Sequence, residues 1–304
     1  MADSFLPALP PPYRCRPATA ADARAEADLL AACEPAPPER AGSVDAGPVT
    51  SFGPGPGPDT LLVHDPAGRL AARARVSGGR RCTVHVHPAH RGRGLGGALL
   101  DWAETRARQA GGDRLGQTVP DEDLPAVALL RSRGYEPFVT QWLLEIALPA
   151  GHPVPAPPAG IAVRGFRPGD ERDVHRLTED AFAAWQSRRK PYEEWARLTV
   201  ERDAFAPDLS PLALADGRPV GAVLALRHPD SGEGHIDRVA VRPDHRSRGI
   251  AGLLLREAFR RFHHQGLSTA TLFTHSATGA LPLYRHLGMT VRHSSTVYGK
   301  ALRG

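Results

Sequence analysis

The residue pattern with the clearest chemical meaning is a basic turn between a predicted strand and a predicted helix. The strand ends in Val239, Ala240 and Val241, and the turn and helix start consist of Arg246, Ser247, Arg248, Gly249, Ile250 and Ala251. Backbone N–H groups in the first turn of a helix have no partner inside the helix, and the helix dipole favours negative charge there. The pattern therefore predicts a site for a phosphate or pyrophosphate group.

The same pattern occurs earlier in the chain. Its strand residues are Val84, His85 and Val86, and its turn and helix start are Arg91, Gly92, Arg93, Gly94, Leu95 and Gly96. Gly92–Gly97 matches the dinucleotide fingerprint G-x-G-x-x-G, but the second copy has Ser247 at the first glycine, and no acidic residue ends a strand about 20 positions later. Both copies share only Arg-x-x-Gly-x-small, which argues against a dinucleotide.

The spacing of the landmarks indicates an internal duplication. Arg91 and Arg246 are 246 − 91 = 155 residues apart, and Gly134 and Gly288 are 288 − 134 = 154 apart. Two landmarks that agree to one residue predict a repeated unit. Each half mixes hairpins with helices, so the expected fold class is α/β, with two tandem domains that each contain a mixed, mostly antiparallel sheet flanked by helices.

The expected domain boundaries follow from the proline content. A Pro-rich linker at residues 149–160 separates an N-terminal domain, residues 1–148, from a C-terminal domain, residues 161–304. Residues 40–59 are predicted to be a loop. In the first half, helices are predicted over 95–109 and 124–133 with no strand between them. Each half is predicted to end in a pair of strands, at 135–148 and 289–300.

The doubled motif resembles the acetyl-CoA-binding segment of the GNAT superfamily of N-acetyltransferases. The shared residues are Val-x-Val-x-Pro, at Val84–Pro88 and Val239–Pro243, followed by Arg-x-x-Gly-x-Gly/Ala. This resemblance, which spans nearly the whole chain, implies acetyl-CoA as the cofactor. It also implies that the loop N–H groups of Arg91–Gly96 and Arg246–Ala251 hold the CoA pyrophosphate. The preceding strand residues would hydrogen-bond the pantetheine.

A second segment carries the resemblance into the chemistry. Ala280-x-x-x-Tyr284-x-x-x-Gly288-Met289 is similar to a family helix whose tyrosine protonates the departing CoA thiolate, which implies that role for Tyr284. A phenol of pKa about 10 is a chemically suitable donor. Leu130 stands at the matching place in the first half, so only the C-terminal domain is expected to be catalytic, and the N-terminal domain to be structural or CoA-retaining. Ala277 departs from the pattern, since the family often has asparagine there.

The base that takes a proton from the acceptor amine has three candidates. His235 stands where many family members have a glutamate, and a histidine pKa of about 6.5 suits a base at neutral pH. Asp237 lies two residues further on the same strand face and could orient His235 or act through a water. Glu233 becomes the candidate if the register shifts by two. The sequence leaves all three open.

These residues predict an N-acyltransferase that moves the acetyl group of acetyl-CoA to a primary amine by direct attack. The acceptor is expected to be a small molecule or a peptide. Trp185, Tyr192 and Trp195 could line its pocket, with ordinary helix packing as the alternative role for at least one of the two tryptophans. The alternative is an inactive CoA-sensing or protein-interaction module. Glu193 and Glu194, which lie between Tyr192 and Trp195 in the sequence, could attract a cationic amine.

The composition limits the kinds of binding partner that are expected. The 304 residues carry a formal charge of +5 without a basic tract interleaved with aromatics, so no nucleic acid is expected. No apolar run reaches about 18 residues, so no membrane span is expected. Three scattered cysteines argue for a reducing, cytoplasmic location and against disulfides. No metal site is expected, and the protein is expected to be a monomer or homodimer.

Overall fold

The computed structural model describes residues 6–33, 57–148, 153–184, 186, 188–228 and 232–302. The helices are α1 (Ala23–Cys33), α2 (Leu95–Gln109), α3 (Leu124–Ser132), α4 (Glu171–Phe182), α5 (Tyr192–Leu198), α6 (Ile250–His264) and α7 (Leu281–His286). The strands are β1 (Arg14–Ala18), β2 (Gly57–His64), β3 (Leu70–Ser77), β4 (Arg81–Val86), β5 (Arg114–Pro120), β6 (Glu136–Ala147), β7 (Ala162–Gly165), β8 (Pro211–Ala215), β9 (Arg218–His228), β10 (Glu233–Val241), β11 (Thr269–His275) and β12 (Thr290–Ala301).

The chain forms two compact units. Among the described residues, the first unit contains those up to Thr140 and those from Ser295 onward, and the second contains Gln141–Ser294. The first unit's sheet has the strand order β1-β2-β3-β4-β5-β12, and the second unit's sheet has the order β6-β11-β10-β9-β8-β7. In each sheet one pair is parallel, β4 with β5 and β10 with β11, and the rest are antiparallel. The predicted fold class is confirmed.

The last strand of the N-terminal half of the sequence, β6, belongs to the second unit's sheet, and the last strand of the C-terminal half, β12, belongs to the first unit's sheet. Gln141–Ala147 of β6 pairs antiparallel with β11 in the second unit. Ser295–Ala301 of β12 pairs antiparallel with β5 in the first. The division of domains at residues 149–160 stays a prediction, whereas the compact units divide between residues 140 and 141 and between 294 and 295. Residues 153–160 of the expected linker form neither helix nor strand, and 149–152 lie outside the described residues.

Two predictions about strands were wrong. Each half ends in a single strand of 12 residues, β6 or β12, and not in a pair. Between Phe138 and Leu148 the sequence has no glycine, proline, asparagine or aspartate that would favour a turn. Strand β5 was missed because Gly116 and Gln117 interrupt its apolar alternation, although Leu115 and Val119 are buried. The loop expected at 40–59 falls mostly outside the described residues.

Helices cover both faces of the second unit's sheet. One face packs against α6 and α7 through a core that includes Leu254, Phe259 and Phe262, with Leu144 of β6. The other face packs against α4 and α5 around Trp195, which is completely buried. The buried residues of α6 recur at helical spacing, which gives the helix an apolar face toward the sheet. Among the described residues, no helix is both long and apolar enough to cross a membrane.

Candidate active site

A cleft opens between β10 and β11, the two parallel strands in the middle of the second unit's sheet. Their pairing runs from Glu233 with Thr269 to Ile236 with Leu272 and stops there, although β10 continues to Val241 and β11 to His275. The opposite edge of β10 has a register shift between Ile236 and Arg238, which makes Asp237 a bulge residue. Since a bulge bends its strand, the bulge at Asp237 accounts for the separation at that point.

The backbone of Val239 and Val241 lines this cleft. The amide N–H of Arg242 donates to the carbonyl oxygen of Val220 on the β9 side, at 2.9 Å. Antiparallel pairing alternates, so the N–H and C=O groups of Val239 and Val241 point the other way, toward β11. The Val241 carbonyl accepts a hydrogen bond from Nε of Arg246 at 3.3 Å. The N–H and C=O of Val239 are therefore positioned to pair with an extended ligand in the cleft.

The basic turn follows directly after β10. A short 3₁₀ turn, Pro243–His245, leads to Arg246 in an extended conformation and then to Ser247 and Gly249 at φ of 60° and 77°. A Cβ on Gly249 would meet no atom within 4 Å, so the left-handed backbone, and not space, calls for glycine there. In the described part of the chain, no side chain caps α6 at Gly249. The first N–H groups of α6 therefore face the turn, as an anion site requires.

The two arginines of this turn are anchored to the protein backbone. Arg246 Nη2 donates to the carbonyl of Ala181 at 2.9 Å, and Arg248 Nη2 donates to the carbonyl of Ala159 at 3.4 Å. These contacts fix the turn against the end of α4 and the segment before β7. The positive charge near the helix start is thus held in place without occupying the backbone N–H groups.

The first unit repeats this geometry closely. The parallel pairing of β4 with β5 ends at Cys82 with Gln117, and Arg91 Nε donates to the carbonyl of Val86 at 3.3 Å. Gly92 and Gly94 have φ of 73° and 79°, and α2 starts at Leu95. The predicted cofactor residues Val84, His85, Val86, Arg91, Gly92, Arg93, Gly94, Leu95 and Gly96 form this strand end and turn. His85 is half-buried, and its desolvation lowers its pKa to about 4, with a smaller contribution from Arg73.

Tyr284 lies on the α6 and α7 face of the second unit's sheet. Its side chain is buried in the same core as Ile236 and Leu272. Burial raises the pKa of the Tyr284 phenol to about 12, and a hydrogen bond with Thr274 of β11 acts in the opposite direction. Thr274 lies beyond the point where β11 leaves β10, so the phenol is held beside the cleft. Leu130, at the matching place in the first unit, is 1% exposed and has no proton to donate.

The base candidates lie elsewhere on β10. Ile236 and Val239 pack into the core of α6 and α7, so alternation along the strand places His235 on the opposite face. His235 is 1% exposed, and its Nδ1 is 3.0 Å from Oγ1 of Thr271. Glu233 is half-buried and accepts a hydrogen bond from Arg292 at 2.8 Å. A base on one face of the sheet and an acid on the other suit a reaction in which the nucleophile approaches from one face of the sheet and the leaving group departs toward the other.

Asp237 is grouped with two arginines. Its Oδ1 is 3.3 Å from Nη1 of Arg202, and its Oδ2 is 3.3 Å from Nε of Arg238. Burial raises the pKa of the Asp237 carboxyl, while the positive charges of Arg238 and Arg202 act to lower it. A raised pKa makes the carboxylate a better proton acceptor at neutral pH. Asp237 therefore combines a position at the bulge with the chemistry of a base.

Three residues of the site were missed by the sequence analysis. Arg202 lies in the irregular segment after α5, 35 residues before Asp237, and no motif marks it. Thr271 and Thr274 lie on β11 with side chains on opposite faces, and the alternation of residues along that strand could have indicated these two orientations.

Of the residues expected to line the acceptor pocket, Trp195 is fully buried, and Tyr192 lies under Arg172, whose Cζ is 4.2 Å from the ring centre. Trp185 lies outside the described residues.

A family profile described as the acetyltransferase (GNAT) family matches residues 58–135 and 172–289. The chain belongs to the GNAT family. The resemblance found in the sequence is thereby confirmed, and the protein is an N-acetyltransferase.

Curated relatives of this acetyltransferase cover most of its length. A mycothiol acetyltransferase of Catenulispora acidiphila is 29% identical over 234 residues, which is 74% of each chain. Another, of Frankia casuarinae, is 33% identical over 75% of this chain and 71% of its own. A third, of Geodermatophilus obscurus, is 30% identical over 83% of this chain and 84% of its own.

Solved structures agree on the tandem fold. A GCN5-related N-acetyltransferase from Sphaerobacter thermophilus is 30% identical, with a TM-score of 0.74 and coverage of 98% of both chains. A tandem GNAT protein from the clavulanic acid biosynthesis pathway has a TM-score of 0.63 over 96% of this chain and 99% of its own, at 19% identity. At that identity the second likeness concerns the fold alone.

Proposed function

We propose that this acetyltransferase moves the acetyl group of acetyl-CoA to a primary amine in the cleft of the second unit. The observation that carries the proposal is the continuity of three features along β10 and β11. The Val239 backbone faces the cleft, the Arg246–Ala251 turn follows the same strand, and the buried Tyr284 phenol lies beside Thr274. These features suit a thioester with a pantetheine arm and a pyrophosphate.

The reaction needs one proton acceptor and one proton donor. The amine nitrogen attacks the thioester carbonyl, and His235 or Asp237 takes the proton it loses. The Val239 N–H polarises the carbonyl oxygen as negative charge develops on it. The carbon–sulfur bond breaks, and the Tyr284 hydroxyl gives its proton to the thiolate. Its raised pKa keeps the phenol protonated at neutral pH, although it also makes the phenol a weaker acid.

We assign catalysis to the second unit. An offset of 155 residues places Arg80 and Cys82 at the first unit's positions that correspond in sequence to His235 and Asp237. In the structure the parallel pairing ends at Cys82 as it does at Ile236, and over the described residues of β4 its pairing with β3 has no bulge that corresponds to Asp237. Arg80 is exposed and paired with Asp113 at 3.6 Å, and burial raises the pKa of the Cys82 thiol, so neither is a suitable base. With Leu130 in place of the tyrosine, the first unit has no acid at that position. Its turn at Arg91–Gly96 keeps the anion-site geometry, so its proposed role is to retain CoA or to support the fold.

The acceptor class can be tested with a panel of amines. It contains the unacetylated precursor of mycothiol, suggested by the names of the relatives, with small amines, amino acids and peptides. We expect at least one class to stimulate release of the CoA thiol from acetyl-CoA above the rate without amine. If acetyl-CoA stabilises the protein against heat but no amine stimulates release, the chain is a CoA-sensing module and the proposed function is wrong.

A further inference from the structure

A group of three charged side chains lies beside the cleft, at the bulge of β10. It consists of Arg202, Asp237 and Arg238, and we call it the Arg–Asp–Arg cluster. The Asp237 and Arg238 side chains are 2% and 5% exposed, and the Arg202 side chain is 24% exposed. Arg202 is therefore the member of the cluster that reaches solvent, and it contacts Asp237.

The charges within the cluster do not balance. Among the described residues, Asp237 is the single carboxylate within ion-pair distance of Arg202 and Arg238. Two guanidinium groups share this one carboxylate, and Arg202, the partly exposed one, has no other carboxylate partner in the described part of the chain. The Arg202 contact with Asp237 is a single hydrogen bond of 3.3 Å, not a bidentate pair. Most Arg202 donors are therefore left for a further anion.

We infer that the acceptor amine carries a carboxylate on the neighbouring carbon, as an α-amino acid does. The inference rests on the proposed function. The acceptor's ammonium group would take the place of Arg202 beside Asp237, while its carboxylate pairs with the displaced Arg202. The ammonium and carboxylate groups of an α-amino acid are joined through one carbon atom. They are therefore close enough to pair with the Asp237 carboxylate and the Arg202 guanidinium, which lie in contact with each other. After the exchange the carboxylate of the acceptor pairs with Arg202, and its ammonium group pairs with Asp237, which Arg238 still contacts.

The position of Asp237 connects this exchange to the reaction. Asp237 is the bulge residue where β10 and β11 separate, and the Val239 backbone that faces the cleft is two residues further on. An ammonium group beside Asp237 gives one proton to the carboxylate. The neutral amine then attacks the thioester carbonyl and loses its second proton to His235 as the amide bond forms, while the carbon–sulfur bond breaks and Tyr284 protonates the thiolate. In this scheme Arg202 contributes to the binding and specificity of the acceptor, and Asp237 accepts a proton from it.

The test compares matched acceptors with the full-length protein. Several α-amino acids are assayed beside their amides and the amines that lack the carboxyl group, for example alanine, alaninamide and ethylamine. We expect kcat/KM to be at least about 10-fold higher for the best amino acid than for its amide, because the carboxylate makes a charge-assisted pair. Arg202→Gln should raise KM for the amino acid about 10- to 100-fold. The amide has no carboxylate to pair with Arg202, so it shares only the effect of the change on Asp237, and the preference for the amino acid over the amide should fall. Arg202→Lys should restore part of the preference.

The control is Arg227→Gln, which removes a surface pair with Asp208 at 2.9 Å and should change neither preference nor KM. Amines acetylated with no preference for the carboxylate would overturn this inference and leave the proposed function standing. Acetylation of no amine at all would overturn both. If Arg202→Gln fails to fold, the comparison of amino acid with amide in the natural protein decides the question alone.

Discussion

Tyr284→Phe is expected to lower kcat about 100-fold or more while leaving the affinity for acetyl-CoA unchanged. Positioned proton donors contribute about 10²- to 10⁴-fold to rate, and phenylalanine removes the donor with little change in volume. The ring is buried in the core with Ile236 and Leu272, and phenylalanine keeps that packing. Steady-state kinetics with a saturating amine and a separate measurement of acetyl-CoA binding distinguish the two effects.

The pH dependence of the natural protein follows from the same residue. The donor must be protonated, and burial raises the pKa of Tyr284 from 10.0 to about 12. Activity should therefore show no fall caused by Tyr284 as pH rises toward 10. The base must be unprotonated, so activity should be lost as pH falls through the pKa of the base. For Asp237 that pKa is raised by burial, which moves this loss to a higher pH than for an exposed aspartate.

Tyr298→Phe is the matched control for this variant. Tyr298 is also a buried tyrosine, 3% exposed, but it lies in the core of the first unit. Its loss should leave kcat unchanged. A Tyr284→Phe protein with normal kcat, or one whose kcat falls only as much as that of Tyr298→Phe, would remove Tyr284 from the mechanism.

Gly249→Val is expected to raise KM for acetyl-CoA by about 10-fold or more. Gly249 has φ of 77°, a conformation that costs about 1–2 kcal/mol for an ordinary residue and is most unfavourable for a β-branched one. The turn must therefore rearrange, and the N–H groups at the start of α6 lose their common direction. Because those groups are proposed to hold the pyrophosphate, binding weakens, as kinetics and direct titration with acetyl-CoA can show.

The same helix provides the control. Gly266 follows the C-terminal end of α6 with φ of 79°, and a Cβ there would also meet no atom within 4 Å. Gly266→Val therefore introduces the same backbone strain at the opposite end of the helix, and it should lower stability without changing KM. Equal effects of the two variants on KM would show that the Gly249 result reflects strain alone and would contradict an anion site at the turn.

Much of the site could be predicted because its signals are local. The helix over Leu95–Gln109 was predicted at its observed bounds, since the glycine turn before it and Gly111 after it mark both ends. The position of Tyr284 followed from a motif on one short helix. Ser247 at positive φ, where the first copy has Gly92, shows that the turn keeps its conformation without the first glycine.

The remaining features depend on contacts between distant parts of the chain. Nothing local in Gln141–Ala147 indicates that this segment pairs with β11 and not with its own half, because the choice of partner depends on long-range register. Arg202 reaches Asp237 from an irregular segment, and its role depends on where that segment packs. The bulge at Asp237 involves one residue and leaves no clear trace in the alternation of β10.

The central claim is direct transfer of the acetyl group from acetyl-CoA to an amine in the second unit. The most direct measurement follows an isotope-labelled acetyl group by mass spectrometry of both the acceptor and the intact protein. We predict that the label appears on the amine nitrogen of the acceptor, that Tyr284→Phe slows its appearance, and that the protein mass stays unchanged when the amine is omitted. A label that accumulates on the protein before it reaches the amine, or that never reaches an amine, would contradict the claim.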